Sequence, residues 1–155
     1  MATNPIKKYY IFFMDDLKPV KNIDTKNLSF KFYKFERINK KKDINYVLTN
    51  GEKFFKNGLL VYILNQANKK QNYSRIAVLV SRKVEKSAVI RNKFKRRIKE
   101  IFRLNKYKIR IPIDIVVIAT KISVKQKYNL LEESFLKILE TKGLLNQWKQ
   151  LLYNL

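Results

Sequence analysis

The sequence predicts an α+β sandwich in which helices and one four-stranded sheet follow the order αβββαβα. Two short β-rich runs, RIAVLVS at 75–81 and IDIVVIAT at 113–120, have the composition of largely buried strands. Other segments place apolar residues at helical spacing, and no internal repeat or Gly/Ser linker divides the chain. With 155 residues, 46% of them hydrophobic, the chain can build one core.

The first predicted elements are a short helix and a β-hairpin. Residues 41–50, KKDINYVLTN, form a helix with Gly51 at the stop position; its apolar face is made by Ile44, Val47 and Leu48. The pair Asn57-Gly58 is a strong two-residue hairpin signal, and residues 59–65 form the second strand. Residues 1–30 show no sustained periodicity, and we interpret them as an N-terminal extension to which the sequence assigns no role.

The second half predicts a strand at 75–81, a basic helix at 89–103, a strand at 113–120 and a helix at 128–139. The last of these has an apolar face of Leu131, Phe135, Ile138 and Leu139. After Gly143, residues 144–155 have the pattern of a terminal amphipathic helix that covers the core. The expected organisation is an extension at 1–30, a domain at 31–143 and a C-terminal helix at 144–155.

The charge of the chain indicates a polyanionic partner. Thirty-five Lys and Arg residues against twelve Asp and Glu give a formal net charge of +23, which opposes compaction and favours nucleic acid as the partner. The chain has no His and no Cys, so the commonest general base and the thiolate nucleophile are both missing. Because no apolar run approaches the ~20 residues that span a bilayer, we expect a soluble, cytoplasmic protein without a membrane partner.

The basic helix has two different faces. The stretch 87–103, SAVIRNKFKRRIKEIFR, holds seven Arg and Lys residues among seventeen. Its core stripe is predicted to be Phe94, Ile98, Ile101 and Phe102. The adjacent solvent-facing arc contains Asn92, Lys95, Arg96, Lys99 and Arg103. A solvated face that serves only solubility is the simplest alternative, but it does not call for the uncharged amide of Asn92.

A longer pattern at 78–102 combines a strand end, a loop and this helix. It reads Val80-Ser81-Arg82-Lys83, then Ala88-Val89-Ile90-Arg91-Asn92-Lys93, then Phe94-Lys95-Arg96-Arg97-Ile98-Lys99. The region closely resembles the protein component of bacterial ribonuclease P, a family that carries V-S-K-K, A-V-x-R-N-R and x-K-R-x-x-R in the same frame. Looser similarity extends over residues 35–139.

Four positions in and before the helix depart from the family pattern. Lys93 and Lys99 stand where the family has Arg, and Lys lacks the planar fork that binds phosphate bidentately. Arg97 stands at a position that is usually apolar, and Glu85 replaces a loop Gly. The positive charge of the motif is kept while its hydrogen-bonding geometry is changed.

The resemblance implies a fold similar to the ribosomal protein S5 domain 2-like fold, with a left-handed crossover through strand three, the basic helix and strand four. It also implies a subunit of ribonuclease P that binds the catalytic RNA and the 5′ leader of precursor tRNA, and so assists endonucleolytic removal of the leader and tRNA 5′-end maturation. One protein per catalytic RNA is expected. Mg²⁺ is expected to be held mainly by the RNA, with none bound tightly by the protein.

The basic arc and the family frame together define the expected site residues. Those expected to bind RNA are Arg82, Lys83, Arg91, Asn92, Lys93, Lys95, Arg96, Lys99 and Arg103. The family's leader cleft corresponds here to Ile44, Leu48 and Tyr62. The first two replace family aromatics on the first helix, while Tyr62 keeps a Tyr position on the second strand; ordinary strand packing is the alternative for Tyr62.

Two other functions remain open at this point. A non-catalytic ribosomal protein or RNA chaperone would share the charge, although it would not call for the Arg-Asn-x-x-Lys-Arg frame. An autonomous protein nuclease would need a base or a metal cage. The acidic pairs Asp15-Asp16 and Glu132-Glu133 do not supply one, because neighbouring acids on one segment point apart. No catalytic residue and no metal site is therefore predicted in the protein.

Overall fold

Three helices and one four-stranded sheet make up residues 31–66 and 71–145, the part of the chain that the computed structural model describes. The elements are α1 Lys41–Asn50, β1 Glu52–Lys56, β2 Leu59–Asn65, β3 Arg75–Leu79, α2 Ala88–Asn105, β4 Ile113–Ile118 and α3 Tyr128–Thr141. Single 3₁₀ turns occur at Lys34–Glu36, Lys106–Lys108 and Ser123–Lys125. The predicted αβββαβα order is confirmed.

The strands lie in the order β1-β2-β4-β3, so β4 is a partner of both β2 and β3. β1 and β2 pair antiparallel, as do β2 and β4, whereas β3 and β4 run parallel. Asn57 and Gly58 have φ angles of 50° and 80°, the two consecutive positive values of a type I′ hairpin turn. Since β3 and β4 are parallel, α2 is the crossover helix between them.

One face of the sheet carries α2 and α3 and holds the larger core. Alternate residues of β2 point into it, namely Leu59, Val61 and Ile63. The predicted stripe of α2 is buried there, since Phe94, Ile98, Ile101 and Phe102 are at most 2% exposed. The stripe of α3 joins the same core with Leu131, Phe135, Ile138 and Leu139. Both apolar faces are confirmed.

The opposite face of the sheet carries α1, through a smaller cluster. Val47 of α1 is fully buried and packs with Ala77 of β3 and Val116 of β4. The cover is incomplete on this side. Phe55 of β1 points here, because its neighbour Phe54 packs into the larger core, and Phe55 is 63% exposed.

The observed ends of several elements differ from the predicted ones. β3 stops at Leu79, and α2 runs from Ala88 to Asn105, two residues beyond its predicted end. Leu145 forms an antiparallel β-bridge with Ile109, so the predicted terminal helix does not begin at residue 144. The rest of that helix, with Trp148, lies outside the described residues, as do the extension at 1–30 and its acidic pair.

Candidate nucleic-acid interface

Most of the residues expected to bind RNA lie at the surface of α2 and of the loop before it. Five are exposed: Arg82, Lys83, Asn92, Lys93 and Arg96. Four are half-buried: Arg91, Lys95, Lys99 and Arg103. The stripe on the other side of the helix packs into the core, so this cationic side is held toward solvent. The structure therefore brings the predicted arc together on one helix.

Two of these arginines also make contacts within the protein. The Nη1 of Arg91 donates hydrogen bonds to the backbone oxygens of Glu85 at 3.0 Å and Lys86 at 2.6 Å. The guanidinium of Arg103 makes a bidentate contact with the carboxylate of Glu100, at 2.8 and 2.5 Å. That hydrogen bond raises the pKa of Arg103 and lowers the pKa of Glu100. Arg91 therefore supports the loop, while the charge of Arg103 is balanced locally.

Glu85, which replaces the family's loop Gly, has a structural role of its own. Its carboxylate accepts a hydrogen bond from the backbone N–H of Ser87 at 2.8 Å. Ser87 in turn is the N-cap of α2, and its Oγ accepts from the N–H of Ile90 at 3.4 Å. Among the described residues Asn57 is the only non-glycine with a positive φ, so Glu85 does not adopt the glycine-type conformation.

Arg97, the additional cation of the helix, points away from the arc. Its Nη1 donates to the backbone oxygen of Gln126, at 3.1 Å, in the turn that precedes α3. This contact joins α2 to the neighbouring segment and explains why a charged residue is accommodated at a position that the family usually fills with an apolar side chain. Arg97 therefore does not belong to the surface row of cations.

A further cation, Arg37, lies close to the arc although it is not on α2. Burial lowers the pKa of Lys99, and the positive charges of Arg37 and Lys95 lower it further. Nothing in the local sequence around Arg37 places it beside this helix. Pairing of its segment with the edge strand β3 does so, through a parallel bridge between Arg37 and Ile76.

The residues expected to form a leader cleft also come together. Ile44 and Leu48 of α1 and Tyr62 of β2 are half-buried and pack against the same small cluster. Tyr62 lies opposite Val116 in the antiparallel pair of β2 and β4, and its side chain is on the α1 face of the sheet. Phe55, which is exposed on this face, was not among the predicted cleft residues; its alternation with Phe54 is the sequence signal that would have identified it.

A partly buried charged network links α1 to the sheet. Asp114 of β4 is 1% exposed and accepts from Arg75 Nε at 2.9 Å and Arg75 Nη2 at 2.6 Å. The Nη1 of the same arginine reaches Asp43, in the first turn of α1, at 3.3 Å. The Nε2 groups of Gln66 and Gln71 donate to Asp114 at 2.9 and 3.1 Å. The hydrogen bond to Asp114 raises the pKa of Arg75.

The acidic side chains of residues 31–66 and 71–145 do not form a metal centre: no three of His, Cys, Asp and Glu come together there. In the pair Glu132-Glu133, Glu132 accepts from Asn105 Nδ2 at 2.9 Å and Glu133 is exposed. In the same part of the chain, no helix is long and apolar enough to cross a bilayer.

Comparison with known sequences decides the family. The sequence model of the family described as Ribonuclease P matches residues 32–143, which include α1, the whole sheet, α2 and α3. The chain belongs to the ribonuclease P protein family. The match contains every residue predicted for the RNA-binding arc and the cleft.

Relatives and solved structures of ribonuclease P proteins agree with this assignment. The ribonuclease P protein component of Clostridium botulinum strain 657 is 35% identical over 114 residues, which cover 73% of this chain and 99% of the relative. That of Clostridium kluyveri is 39% identical over 110 residues, 70% of this chain and 95% of the relative. The Staphylococcus aureus RNase P protein structure aligns with a TM-score of 0.63 and 31% identity, covering 72% of this chain and 98% of that one. The structure of the Thermotoga maritima RNase P protein aligns with a TM-score of 0.60 and 30% identity, covering 68% of this chain and 96% of that one.

Family membership decides between the functions that the sequence left open. As a ribonuclease P protein the chain is a subunit of an endoribonuclease that acts in tRNA 5′-end maturation, with ribonuclease P RNA and precursor tRNA as its partners. A ribosomal protein or a general RNA chaperone is not supported.

Proposed function

We propose that the cationic side of α2 binds the catalytic RNA, and that the α1 face of the sheet receives the 5′ leader of precursor tRNA. The observation that carries the first part is that three cations of α2 form no ion pair with a described carboxylate. Six ion pairs join the described residues, and none of them uses Lys95, Arg96 or Lys99. These charges face solvent next to a buried stripe, in a chain with a formal net charge of +23.

A rigid helix suits a phosphate backbone better than a mobile tail does. Lys95, Arg96 and Lys99 lie within just over one helical turn, over roughly 6 Å of axis at ~1.5 Å per residue. Since the neighbouring Phe94 and Ile98 are buried in the core, the backbone that carries these cations is held in place before RNA arrives. Arg82 and Lys83, both exposed after β3, extend the surface beyond the N-terminus of the helix. Asn92 and Lys93 lie at its first turns.

The leader contact rests on family position and on the shape of the α1 face. Tyr62 is half-buried and packs against the same cluster as Ile44 and Leu48. On the same face of the sheet, Phe55 of β1 is exposed to solvent. Aliphatic side chains can pack against a nucleotide but do not stack on it as an aromatic ring does. Tyr62 is therefore the residue of this cleft that we assign to base stacking.

The chemistry is assigned to the RNA. Hydrolysis that leaves a 5′-phosphate needs an activated water and stabilisation of the leaving 3′ oxygen, which two metal ions typically supply. This chain contributes cations, which reduce the repulsion between an RNA enzyme and an RNA substrate. The Mg²⁺ ions are accordingly held mainly by the RNA, with none bound tightly by the protein. We place one protein on each catalytic RNA, in the cytoplasm.

The finer details of the fold are part of the same proposal. Parallel pairing of β3 and β4 around α2 is compatible with the left-handed crossover and the ribosomal protein S5 domain 2-like fold that the family resemblance implies. A crystal structure of this protein that shows a right-handed connection would contradict this assignment.

Replacing Lys95, Arg96 and Lys99 with Ala is expected to weaken binding to ribonuclease P RNA and to reduce its salt dependence. If the wild-type protein neutralises about four phosphates, the log–log slope of affinity against salt is roughly −3 to −4, and the triple variant should flatten it by about two to three units. Filter binding at several KCl concentrations measures the slope.

The matched control for this triple variant removes three exposed lysines that lie outside α2, Lys121, Lys137 and Lys142. Its slope should change much less, because those cations are not part of the proposed face. Equal flattening by both variants, or an unchanged slope in a folded Lys95/Arg96/Lys99 variant, would show that α2 is not the RNA-binding face.

Replacing Tyr62 with Ala is expected to weaken binding of precursor tRNA to the holoenzyme while leaving mature tRNA unaffected. Stacking contributes about 1–3 kcal/mol per base, so the loss should be roughly 5- to 150-fold for the precursor alone. Tyr62→Phe keeps the ring and should retain most of the affinity. Equal losses for precursor and mature tRNA would contradict a leader contact, and the midpoint of urea unfolding distinguishes this from loss of the fold.

A further inference from the structure

Arg37 is held against α2 by an aromatic side chain. Its Cζ lies 5.0 Å from the ring centroid of Phe32, and that ring packs edge-on against Phe102 of α2, at 5.9 Å between centroids and 74° between planes. The backbone is fixed as well, since the N–H of Ile38 donates to the carbonyl oxygen of Ile76 at 3.0 Å. The segment around Arg37 therefore bridges the open edge of β3 and the side of α2.

The contact brings Arg37 to the same side of α2 as two lysines of the arc. Lys95, Lys99 and Phe102 are spaced i, i+4, i+7, which places them along one side of a helix. The guanidinium of Arg37 contacts Phe32, which in turn packs on Phe102. Arg37 therefore lies at the end of the row that Lys95 and Lys99 form along α2. The lowered pKa of Lys99, caused first by burial and then by Arg37 and Lys95, agrees with this proximity.

The two carboxylates adjacent to these cations in sequence are both engaged elsewhere. Glu36 is buried, and its Oε1 accepts from Lys106 Nζ at 2.6 Å. Glu100, which follows Lys99, is bound by Arg103. None of the ion pairs among the described residues uses Arg37, Lys95 or Lys99. Like charges near one another repel, and an anion bound among them reduces that repulsion.

We propose that Arg37, Lys95 and Lys99 together form a binding site for one phosphate of an RNA backbone. Arg37 extends the α2 surface onto the segment that precedes α1. The two lysines act as point charges, whereas the guanidinium donates through a planar fork that can hold two phosphate oxygens at once. Arg37 thereby sets the orientation of the phosphate. This inference rests on the proposed binding of RNA by α2.

The test uses the full-length protein and ribonuclease P RNA, with Arg37→Ala, Arg37→Lys, Lys99→Ala and the double variant Arg37→Ala/Lys99→Ala. Arg37→Ala should weaken binding and flatten the salt slope by less than about one unit, because Lys95 and Lys99 still neutralise part of the charge of the shared phosphate. Arg37→Lys should keep the slope but lose affinity, because the charge remains and the fork does not. The fold-loss of affinity in the double variant should be smaller than the product of the two single fold-losses, because both residues contact the same phosphate.

The outcomes separate this inference from the proposed function. If Lys95, Arg96 and Lys99 prove essential for RNA binding while Arg37→Ala changes neither slope nor affinity, the Arg37 site is wrong and the α2 interface stands. If the α2 triple variant has no effect, the proposed function itself fails. Multiplicative losses in the Arg37/Lys99 double variant would also overturn the shared site. The unfolding midpoints of Arg37→Ala and of Arg37→Lys, which retains a cation beside Phe32, show whether weaker binding comes from damage to the fold.

Inorganic phosphate distinguishes an RNA phosphate from a free anion. We expect it to compete with RNA no better than chloride does at equal ionic strength. If it displaces RNA more strongly than chloride, and does so from the wild-type protein but not from the Arg37→Ala variant, the site takes a free phosphate and the assignment to the RNA backbone is wrong.

Discussion

Purified protein freed of RNA is expected to leave precursor tRNA intact at every Mg²⁺ concentration, and cleavage at the mature 5′ end should appear once a bacterial ribonuclease P RNA is added. The chain contains no His and no Cys, and the described residues bring no three acidic side chains together. The part of the chain that the structure describes therefore offers none of the usual means of activating water or holding two metal ions. The measurement is the 5′-end sequence of products from a precursor incubated with protein, RNA or both.

The Mg²⁺ dependence gives this prediction a second readout. On the proposed interface the cations of α2 would screen phosphate repulsion, and the protein should therefore lower the Mg²⁺ concentration at which the RNA reaches half its maximal rate. The Lys95/Arg96/Lys99 variant should shift that midpoint back toward the value of the RNA alone. Nuclease pretreatment, followed by removal of the nuclease, controls for copurifying RNA. Site-specific cleavage by the RNA-free protein would overturn the division of labour.

Replacing Asp114 with Ala is expected to destabilise the protein by about 3–5 kcal/mol, the usual cost of removing one partner from a buried ion pair. The carboxylate is 1% exposed and accepts both arms of Arg75 as well as Gln66. Without it, the guanidinium keeps, among the described residues, the longer contact to Asp43 at 3.3 Å. Such a loss is a large share of the ~5–15 kcal/mol that stabilise a typical domain. The free energy of unfolding in urea measures it.

Two further variants separate the buried arm of this network from its surface arm. Asp43→Asn removes only the contact to α1, at a partly exposed position, and should cost less than about 1 kcal/mol. The pair Arg75→Met/Asp114→Leu removes both buried charges and should recover much of the stability, because a well-packed apolar pair can replace a buried ion pair. If Asp43→Asn proved as damaging as Asp114→Ala, the buried pair would not be the main source of stability.

Local elements were readable from the sequence because their signals are local. Gly51 marks the end of α1, and Asn57-Gly58 specifies the hairpin through its two positive φ angles. The spacing of Phe94 and Ile98 identified the buried side of α2. The helix is longer than predicted at its C-terminus, where Asn105 Nδ2 donates to the backbone oxygen of Ile101 at 2.9 Å. A polar residue used in this way carries no apolar periodicity.

Arrangements that depend on distant parts of the chain were not readable. The insertion of β4 between β2 and β3 depends on which strands pair, and strand composition does not specify the partner. Leu145 was assigned to a helix from its apolar pattern, but its backbone forms an antiparallel β-bridge with Ile109 instead. The bridge from Arg37 through Phe32 to Phe102 joins segments far apart in sequence. Side-chain type identified the cations of α2; only the fold places Arg37 beside that helix.

The central position of β4 has a consequence for the order in which the chain can fold during synthesis. The β1–β2 hairpin can close as soon as residue 65 has emerged, because its pairing is local. β3 and α2 are made next, but β3 is not a neighbour of β2 and pairs with β4. Until Ile113–Ile118 leaves the ribosome, the apolar stripe of α2 has no completed sheet to pack against. During that time β2 is paired with β1 but lacks its second partner, β4. A nascent chain that ends before β4 therefore presents α2 without a core behind it, and any RNA that bound α2 at that stage would act on an unfolded partner.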